Sequence, residues 1–154
     1  MRIVLQRVTR ATVTVNDECV GEIGTGLLAL VGFGGSDSAD LPGSPVWEKM
    51  LDKIMNLRIF TDPDGKFNLS LNDVQGDLML VSQFTLHADC KKGRRPSFTD
   101  SCHPDLARGL FDRFVEDARA KAPASVATGE FGAEMFLDFT NWGPVTILLD
   151  SDEM

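Results

Sequence analysis

Short segments in which apolar and polar residues alternate open the chain. Residues 2–8 and 11–15 have this period of two and are rich in Val, Ile and Thr, so each predicts a strand with one buried face. Residues 19–23 predict a third strand. Segment 27–31 is apolar throughout and segment 77–81 is apolar after Asp77, so each predicts a buried central strand.

Four further segments have the composition of strands, and they bring the predicted total to about nine. These segments are residues 57–60, 125–128, 135–140 and 145–150. Segment 77–81 continues directly into Ser82, Gln83, Phe84, Thr85 and Leu86. We therefore expect the strand to carry these five residues at its end.

Two segments show the three- and four-residue spacing of an amphipathic helix, namely residues 46–56 and 105–121. Residues 32–45 are rich in Gly, Pro, Ser and Asp, which predicts a surface loop. Strands that outnumber helices and are joined mostly by short turns predict an α/β domain with a mixed, partly barrel-like sheet and its helices on one side. With 154 residues, the chain is expected to form a single domain, 1–154.

The net charge of −8 argues against a nucleic-acid partner if only the sum is considered, because phosphate binding depends on Lys and Arg. The distribution of charge changes this picture. Lys91, Lys92, Arg94 and Arg95 form the densest basic cluster, while acidic residues gather elsewhere. The cluster is either a solvated loop or a strip that holds a short phosphate backbone.

The cysteines and the apolar segments exclude several other classes of protein. Cys19, Cys90 and Cys102 are an odd number without a CxxC pair, and only His87 and His103 accompany them, so neither a disulfide framework nor a zinc site is indicated. No segment has the length and apolarity of a signal peptide or a membrane span. We expect a cytoplasmic protein.

Candidate catalytic groups are few. Thr85 and His87 lie two residues apart, which would place both on one face of a strand without necessarily bringing them into contact, and an internal threonine lacks its usual activating amine. On spacing alone, Ser82, Gln83 and Thr85 are better explained as polar residues that satisfy backbone groups at a strand end than as catalytic groups. Gly143-Pro144 differs, because a cis peptide bond is cheap only before proline.

Six segments, in this order and at these spacings, resemble the D-aminoacyl-tRNA deacylase family, and the resemblance extends from Met1 to Asp150. They are Gln-Arg-Val at 6–8, Asn-Leu-Arg-Ile-Phe at 56–60, Ser-Gln-Phe-Thr-Leu at 82–86, Lys-Gly-Arg-Arg-Pro-Ser-Phe at 92–98, Phe-Gly-Ala-Glu-Met at 131–135 and Asn-Trp-Gly-Pro-Val-Thr at 141–146. The third and sixth segments match the family without substitution, as expected for a strictly D-specific member. Residues 32–45 are the least family-like.

The resemblance implies a three-layer α/β/β fold and a homodimer with shared active sites. In such a dimer, Gly143 and Pro144 of one subunit enter the pocket of the other and exclude L-amino acids. Arg7 is implied to orient this Gly-cisPro kink, and Phe131 and Met135 are implied to form the pocket for the terminal adenine. Glycine, which has no side chain, is expected to escape rejection.

The same resemblance implies a hydrolase that needs neither a metal nor another cofactor. We hypothesise that the backbone N–H groups of Phe84 and Thr85 bind the carbonyl oxygen of the ester, that Ser82 and Gln83 shape the pocket, and that the 2′-hydroxyl of the RNA assists water. The strip formed by Lys91, Lys92, Arg94 and Arg95 would contact the tRNA backbone.

Two other classes stay open at this point. One is a threonine-dependent deacylase or esterase that acts on another activated acyl group through Thr85. The other is an RNA-binding module without catalysis. Neither a membrane nor a DNA partner is expected.

Overall fold

Eight strands and three α-helices follow one another along the chain, and the computed structural model describes all 154 residues. The strands are β1 (Arg2–Val15), β2 (Glu18–Ile23), β3 (Gly26–Gly32), β4 (Phe60–Thr61), β5 (Phe67–Leu69), β6 (Asp77–Ser82), β7 (Val126–Thr128) and β8 (Phe136–Asp150). The helices are α1 (Pro45–Asn56), α2 (Leu71–Val74) and α3 (Pro104–Lys121), and short 3-10 helices cover Phe84–His87 and Ser151–Glu153.

The main sheet is mixed, as predicted. Its order is β2-β1-β3-β6-β7, and β8 pairs along the other side of β1. β1 runs antiparallel to β2, β3 and β8, whereas β6 runs parallel to both β3 and β7. The parallel connections need long crossovers, and these contain α1 between β3 and β6 and α3 between β6 and β7.

Apolar side chains on the two faces of the sheet pack into two separate clusters. On β3 and β6, Leu27 and Leu78 belong to a cluster of 26 buried residues that includes the apolar faces of α1 and α3. Their neighbours Leu28 and Met79 belong to a cluster of seven on the opposite face, against which Leu137 of β8 packs. The layers are therefore helices, sheet and a second β layer, which confirms the predicted α/β fold class.

The first strand changes its buried face partway along. Ile3 and Leu5 belong to the larger cluster, whereas Val8 and Val13 belong to the smaller one. The register with β8 shifts on both sides of Val8, and such an irregularity moves each following side chain to the other face. The prediction of two separate opening strands was wrong, because the backbone stays paired through the shift and forms one strand of 14 residues.

Other boundaries also differ from the predictions. The last two predicted strands are one strand, β8, which continues through the Gly143–Pro144 kink. Residues 57–59 are not a strand, and pairing begins only at Phe60. The polar segment 66–75, for which no element was predicted, contains β5 and α2, and α2 begins with a capping box between Ser70 and Asp73.

Both long helices lie where the spacing predicts them. The Ser44 side chain accepts a hydrogen bond from the Trp47 N–H and so caps α1, with Pro45 in the first turn. Trp47 is buried, stacks edge-on against Phe114 at 5.0 Å between ring centroids, and donates from Nε1 to Asp117 at 3.0 Å. These contacts fix α1 and α3 to each other on one side of the sheet.

No helix of the structure is long and apolar enough to cross a membrane.

A close approach of two backbones joins the start of β3 to the start of β6. A Cβ atom on Gly26 would lie 1.9 Å from the carbonyl oxygen of Asp77, so only glycine fits there. The Asp77 carboxylate also accepts hydrogen bonds from the Gly24 N–H at 3.0 Å and from Ser125 Oγ at 2.6 Å. Burial would raise the pKa of Asp77, but these hydrogen bonds outweigh it and hold the pKa below its usual value.

We expect Gly26→Ala to lower the free energy of unfolding by about 3 kcal/mol, because the new methyl group collides with backbone that cannot rotate away. Gly24→Ala is the matched control, since a Cβ there would lie at an ordinary 3.5 Å from Asp77 Oδ2. Urea denaturation followed by circular dichroism measures both variants. Equal stability of the two variants would contradict the close approach.

Candidate active site

The segment that follows β6 forms a short 3-10 helix rather than the predicted end of a strand. Gln83 ends the extended backbone, and the Gln83 N–H donates to the Val31 carbonyl at 2.8 Å, which keeps the segment beside β3. The first N–H groups of any helix lack an acceptor inside that helix. The backbone N–H groups of Phe84 and Thr85 are the first two of this 3-10 helix, so they have no acceptor within it.

A cavity of about 690 Å³ lies between this segment, the start of α3 and the segment before β8. Such a volume suits a ligand of the size of a nucleoside with a small substituent. Ser82, Gln83, Phe84, Phe131 and Met135 all line it, so the fold brings together five of the residues predicted for the site.

The same cavity is lined by residues for which the sequence analysis predicted no role. They are Val31, Phe33, Val81, Phe98, Ser101, Cys102, His103, Pro104, Gly132, Ala107, Ala133 and Leu137. Phe98 stands in one of the six family-like segments, which could have drawn attention to it. The start of α3 offered no such signal, because its approach to the cavity depends on packing between distant segments.

Thr85 lies outside the cavity lining, and its side chain is already engaged. Gln83 Nε2 donates to Thr85 Oγ1 at 2.5 Å. The His87 ring instead lies 3.2 Å from the Gly32 carbonyl oxygen through Nε2, and no hydrogen bond joins it to Thr85. The expectation that both residues share a strand face was wrong, because they belong to the 3-10 helix.

The one thiol in the cavity wall is poorly suited to be a nucleophile. Cys102 is buried, and this burial, together with the negative charge of Asp37, raises the pKa of the thiol. Only the thiolate attacks carbonyl carbon readily. Cys102 is therefore protonated at neutral pH and forms part of the apolar wall.

Phe131 is held in position by α3. The Arg108 guanidinium lies 4.7 Å from the centroid of the Phe131 ring and donates to the Phe131 carbonyl at 3.2 Å. Phe111 packs against the same ring at 6.0 Å. The orientation of this aromatic wall is thus set before any ligand binds.

Arg7 is a buried cation without a carboxylate partner. It is 3% exposed, and it donates to the carbonyl oxygens of Ile59 at 2.6 Å and Trp142 at 2.8 Å. The guanidinium also lies over the rings of Phe67, at 5.0 Å, and Trp142, at 4.5 Å. Burial lowers the pKa of Arg7, but the group stays charged because an arginine pKa lies far above neutrality.

Opposite Arg7, β8 forms a kink. The strand pairs Gln6–Thr146 and Val8–Asn141 lie on either side of the kink. Between them, the four residues 142–145 of β8 lie opposite the single residue Arg7 of β1. The Gly143–Pro144 peptide bond is cis, and both residues are exposed and lie outside the cavity lining of their own chain.

Side chains of the Asn-Trp-Gly-Pro-Val-Thr segment brace this kink. Asn141 Oδ1 accepts from the Val145 N–H at 2.8 Å, and Asn141 Nδ2 donates to Thr146 Oγ1 at 3.1 Å. Gly143 has φ of 137°, and a Cβ atom there would lie 2.7 Å from Val145 Cγ2 and 3.0 Å from Arg7 Nη2. Position 143 therefore requires glycine.

The basic cluster lies on an exposed loop that closes like a hairpin. Asp89 and Ser97 exchange backbone hydrogen bonds of 2.8 and 2.9 Å at its base. Lys91, Lys92, Arg94 and Arg95 are all exposed, and none of them belongs to the six ion pairs of the structure. We call residues 89–97 the basic hairpin.

Comparison with known proteins gives a consistent result over the whole chain. The family model described as D-Tyr-tRNA(Tyr) deacylase matches residues 4–150. Proteins named D-aminoacyl-tRNA deacylase are 51% identical in Nitratidesulfovibrio vulgaris, over 100% of this chain and 95% of the relative, and 49% identical in Thermosipho melanesiensis, over 100% and 99%.

Two solved structures share the fold. The one titled c-Myc DNA Unwinding Element Binding Protein has a TM-score of 0.87 and 39% identity, and covers 97% of this chain and 98% of its own. The one titled as a probable eukaryotic D-amino acid tRNA deacylase has a TM-score of 0.82 at 23% identity, covers 96% and 97%, and supports the fold alone. The family match and the full-length relatives decide the assignment: the chain belongs to the D-Tyr-tRNA(Tyr) deacylase family.

Proposed function

We propose that residues 1–154 form one deacylase domain that hydrolyses the ester bond of D-aminoacyl-tRNA and releases the D-amino acid and free tRNA. The observation that carries this proposal is the cavity in which Ser82, Gln83 and Phe84 meet Phe131 and Met135. These residues come from the two segments that the resemblance associates with the reacting ester and with the terminal adenine. The names of the full-length relatives support the same substrate class.

The adenine of the terminal nucleotide would bind against Phe131 and Met135. An aromatic ring and a polarizable thioether suit the flat face of a base. Because Arg108 already covers and orients the Phe131 ring, little ordering is needed when the base arrives.

The ester carbonyl would then lie near the start of the 3-10 helix. In our mechanism, a water molecule attacks the carbonyl carbon, and the N–H groups of Phe84 and Thr85 stabilise the oxyanion that forms. The bond to the ribose 3′-oxygen breaks, and this oxygen takes up a proton. The neighbouring 2′-hydroxyl assists the proton transfer, so the substrate supplies the group that the protein lacks.

Rejection of L-amino acids would come from a second subunit. Gly143 and Pro144 are exposed and lie apart from their own cavity, which suits residues that act in a partner. β8 also exposes two large apolar side chains, with Phe136 70% and Leu148 61% exposed, and a second copy of the chain would cover them. The rigid backbone of the partner's kink would collide with an L-side chain, whereas a D-side chain points away and glycine has nothing to reject.

Arg7 would keep that kink in its working orientation. Its hydrogen bond to the Trp142 carbonyl acts on the residue immediately before Gly143, and Asn141 braces the other side. The basic hairpin would hold the RNA backbone through Lys91, Lys92, Arg94 and Arg95, independently of sequence. The site of action would be the cytoplasm, where tRNA is charged.

The source of proton transfer can be tested by removing one hydroxyl group at a time. Thr85→Val should reduce kcat less than tenfold, because only the hydrogen bond from Gln83 is lost, whereas D-Tyr-tRNA ending in 2′-deoxyadenosine should react about 100-fold more slowly. Both rates come from single-turnover release of D-Tyr, with Thr85→Ser as the matched control.

The opposite result, a dead Thr85→Val variant and a fully reactive 2′-deoxy substrate, would favour a threonine-dependent esterase. Retained binding of tRNA with no release of D-Tyr by the wild-type protein would favour an RNA-binding module without catalysis.

The shared active site can be tested by introducing charge at the exposed apolar positions of β8. We expect Phe136→Asp combined with Leu148→Asp to convert a dimer into a monomer and to increase release of L-Tyr relative to D-Tyr, because the partner's kink is lost. Val20→Asp is the control, since Val20 is an exposed apolar residue on β2, 42% exposed. Light scattering after gel filtration gives the mass, and a monomer that still discriminates fully would contradict the shared site.

A further inference from the structure

Two aromatic rings form the solvent-facing rim of the cavity. Phe84 is 56% exposed and Phe98 is 40% exposed, yet both line the cavity. Their centroids lie 5.0 Å apart with 65° between the ring planes, an edge-to-face arrangement that leaves ring surface uncovered. Because the two rings are in contact, they form a contiguous exposed apolar patch, and such patches often mark sites of interaction.

The segment that carries Phe98 is fixed at both of its ends. On one side, Ser97 closes the base of the basic hairpin with Asp89. On the other, the Ser101 N–H donates to the Phe98 carbonyl at 3.1 Å, and Ser101 Oγ donates to the Phe84 carbonyl at 3.3 Å. Phe98 is therefore held between the cavity and the four unpaired cations of the hairpin.

The charge pattern indicates which kind of partner covers this rim. Exposed aromatic rings beside a strip of Lys and Arg are typical of surfaces that bind single-stranded nucleic acid, in which bases stack on the rings and phosphates contact the cations. Lys92, Arg94 and Arg95 precede Phe98 by three to six residues in the sequence. Phe98 therefore stands, along the chain, between the cations and the residues that line the cavity beyond it, Ser101 and Cys102.

We propose that Phe98 is the stacking surface for the nucleobase that precedes the terminal adenosine of tRNA. This inference rests on the proposed function, because it assumes that the terminal adenosine occupies the cavity. Phe84 belongs to the 3-10 helix and packs against the Phe98 ring. This one contact therefore connects the surface that would bind the second base to the segment that would position the ester. No side chain at the rim is needed to read the base, since every base has a π-face.

The proposal predicts how affinity depends on the second nucleotide. The probe is adenosine that carries D-Tyr in a non-hydrolysable 3′-amide, extended on its 5′ side by either cytidine or an abasic nucleotide of the same charge. For the wild-type protein, the cytidine compound should bind about tenfold more tightly than the abasic one. Titration calorimetry on the intact protein gives both Kd values.

Three variants assign this tenfold ratio to Phe98. Phe98→Leu keeps an apolar side chain of similar size but removes the ring, and it should bring the ratio to within twofold of one. Phe98→Tyr keeps the ring and should restore the ratio. Phe131→Leu, in the cavity itself, should weaken both compounds together and leave the ratio at its wild-type value.

Each outcome separates this inference from the proposed function. A wild-type ratio of one, or a ratio that Phe98→Leu leaves unchanged, would overturn the role of Phe98 while binding of the adenosine amide still supports the deacylase. Failure of every compound to bind the wild-type protein would overturn the proposed function and the inference with it.

Discussion

The buried guanidinium of Arg7 is the interaction on which the rest of the architecture depends. Removing a charge from water is costly, and here no carboxylate offsets that cost. The compensation comes from hydrogen bonds to the carbonyl oxygens of Ile59 and Trp142 and from two aromatic faces. Charge-assisted hydrogen bonds of this kind contribute about 1.5–3 kcal/mol each.

Three segments distant in sequence depend on this one side chain. It lies where β1 changes its buried face, where β8 kinks at Gly143–Pro144, and where the chain enters β4. The irregular register places Arg7 opposite the residues of β8 that form the kink, and its long, planar side chain reaches from there to the carbonyl oxygens of Trp142 and Ile59. The exposed kink is therefore a rigid feature of the surface, as the proposed rejection of L-substrates requires.

The cavity and its surroundings offer no strong nucleophile, and this bears on the mechanism. The Cys102 thiol has a raised pKa, and the Thr85 hydroxyl accepts a hydrogen bond from Gln83 and is not part of the cavity lining. An activated ester with a neighbouring hydroxyl needs mainly position and a stabilised oxyanion, and backbone N–H groups can supply the latter. The proposed stacking on Phe98 would add to position at the RNA end of the same cavity.

How much the sequence predicts depends on how local the signal is. α1 and α3 follow from repeated apolar spacing, and the central strands β3 and β6 follow from continuous apolar segments. Ser70 and Asp73, three residues apart, carry a local capping signal for the short helix α2. By contrast, the break in alternation at Val8 has the appearance of a strand end, and only the pairing with β8 shows that the strand continues.

A motif drew together only part of the candidate site. Ser82, Gln83, Phe84, Phe131 and Met135 meet as the resemblance implies, whereas Cys102, His103 and Ala107 reach the cavity through packing of α3 that no short segment encodes. The central claim is chiral hydrolysis of aminoacyl-tRNA. Its most direct test is to incubate the protein with D-Tyr-tRNA and L-Tyr-tRNA separately and to measure release of each amino acid. The account predicts rapid loss of D-Tyr alone, and rapid loss of both amino acids, or of neither, would contradict it.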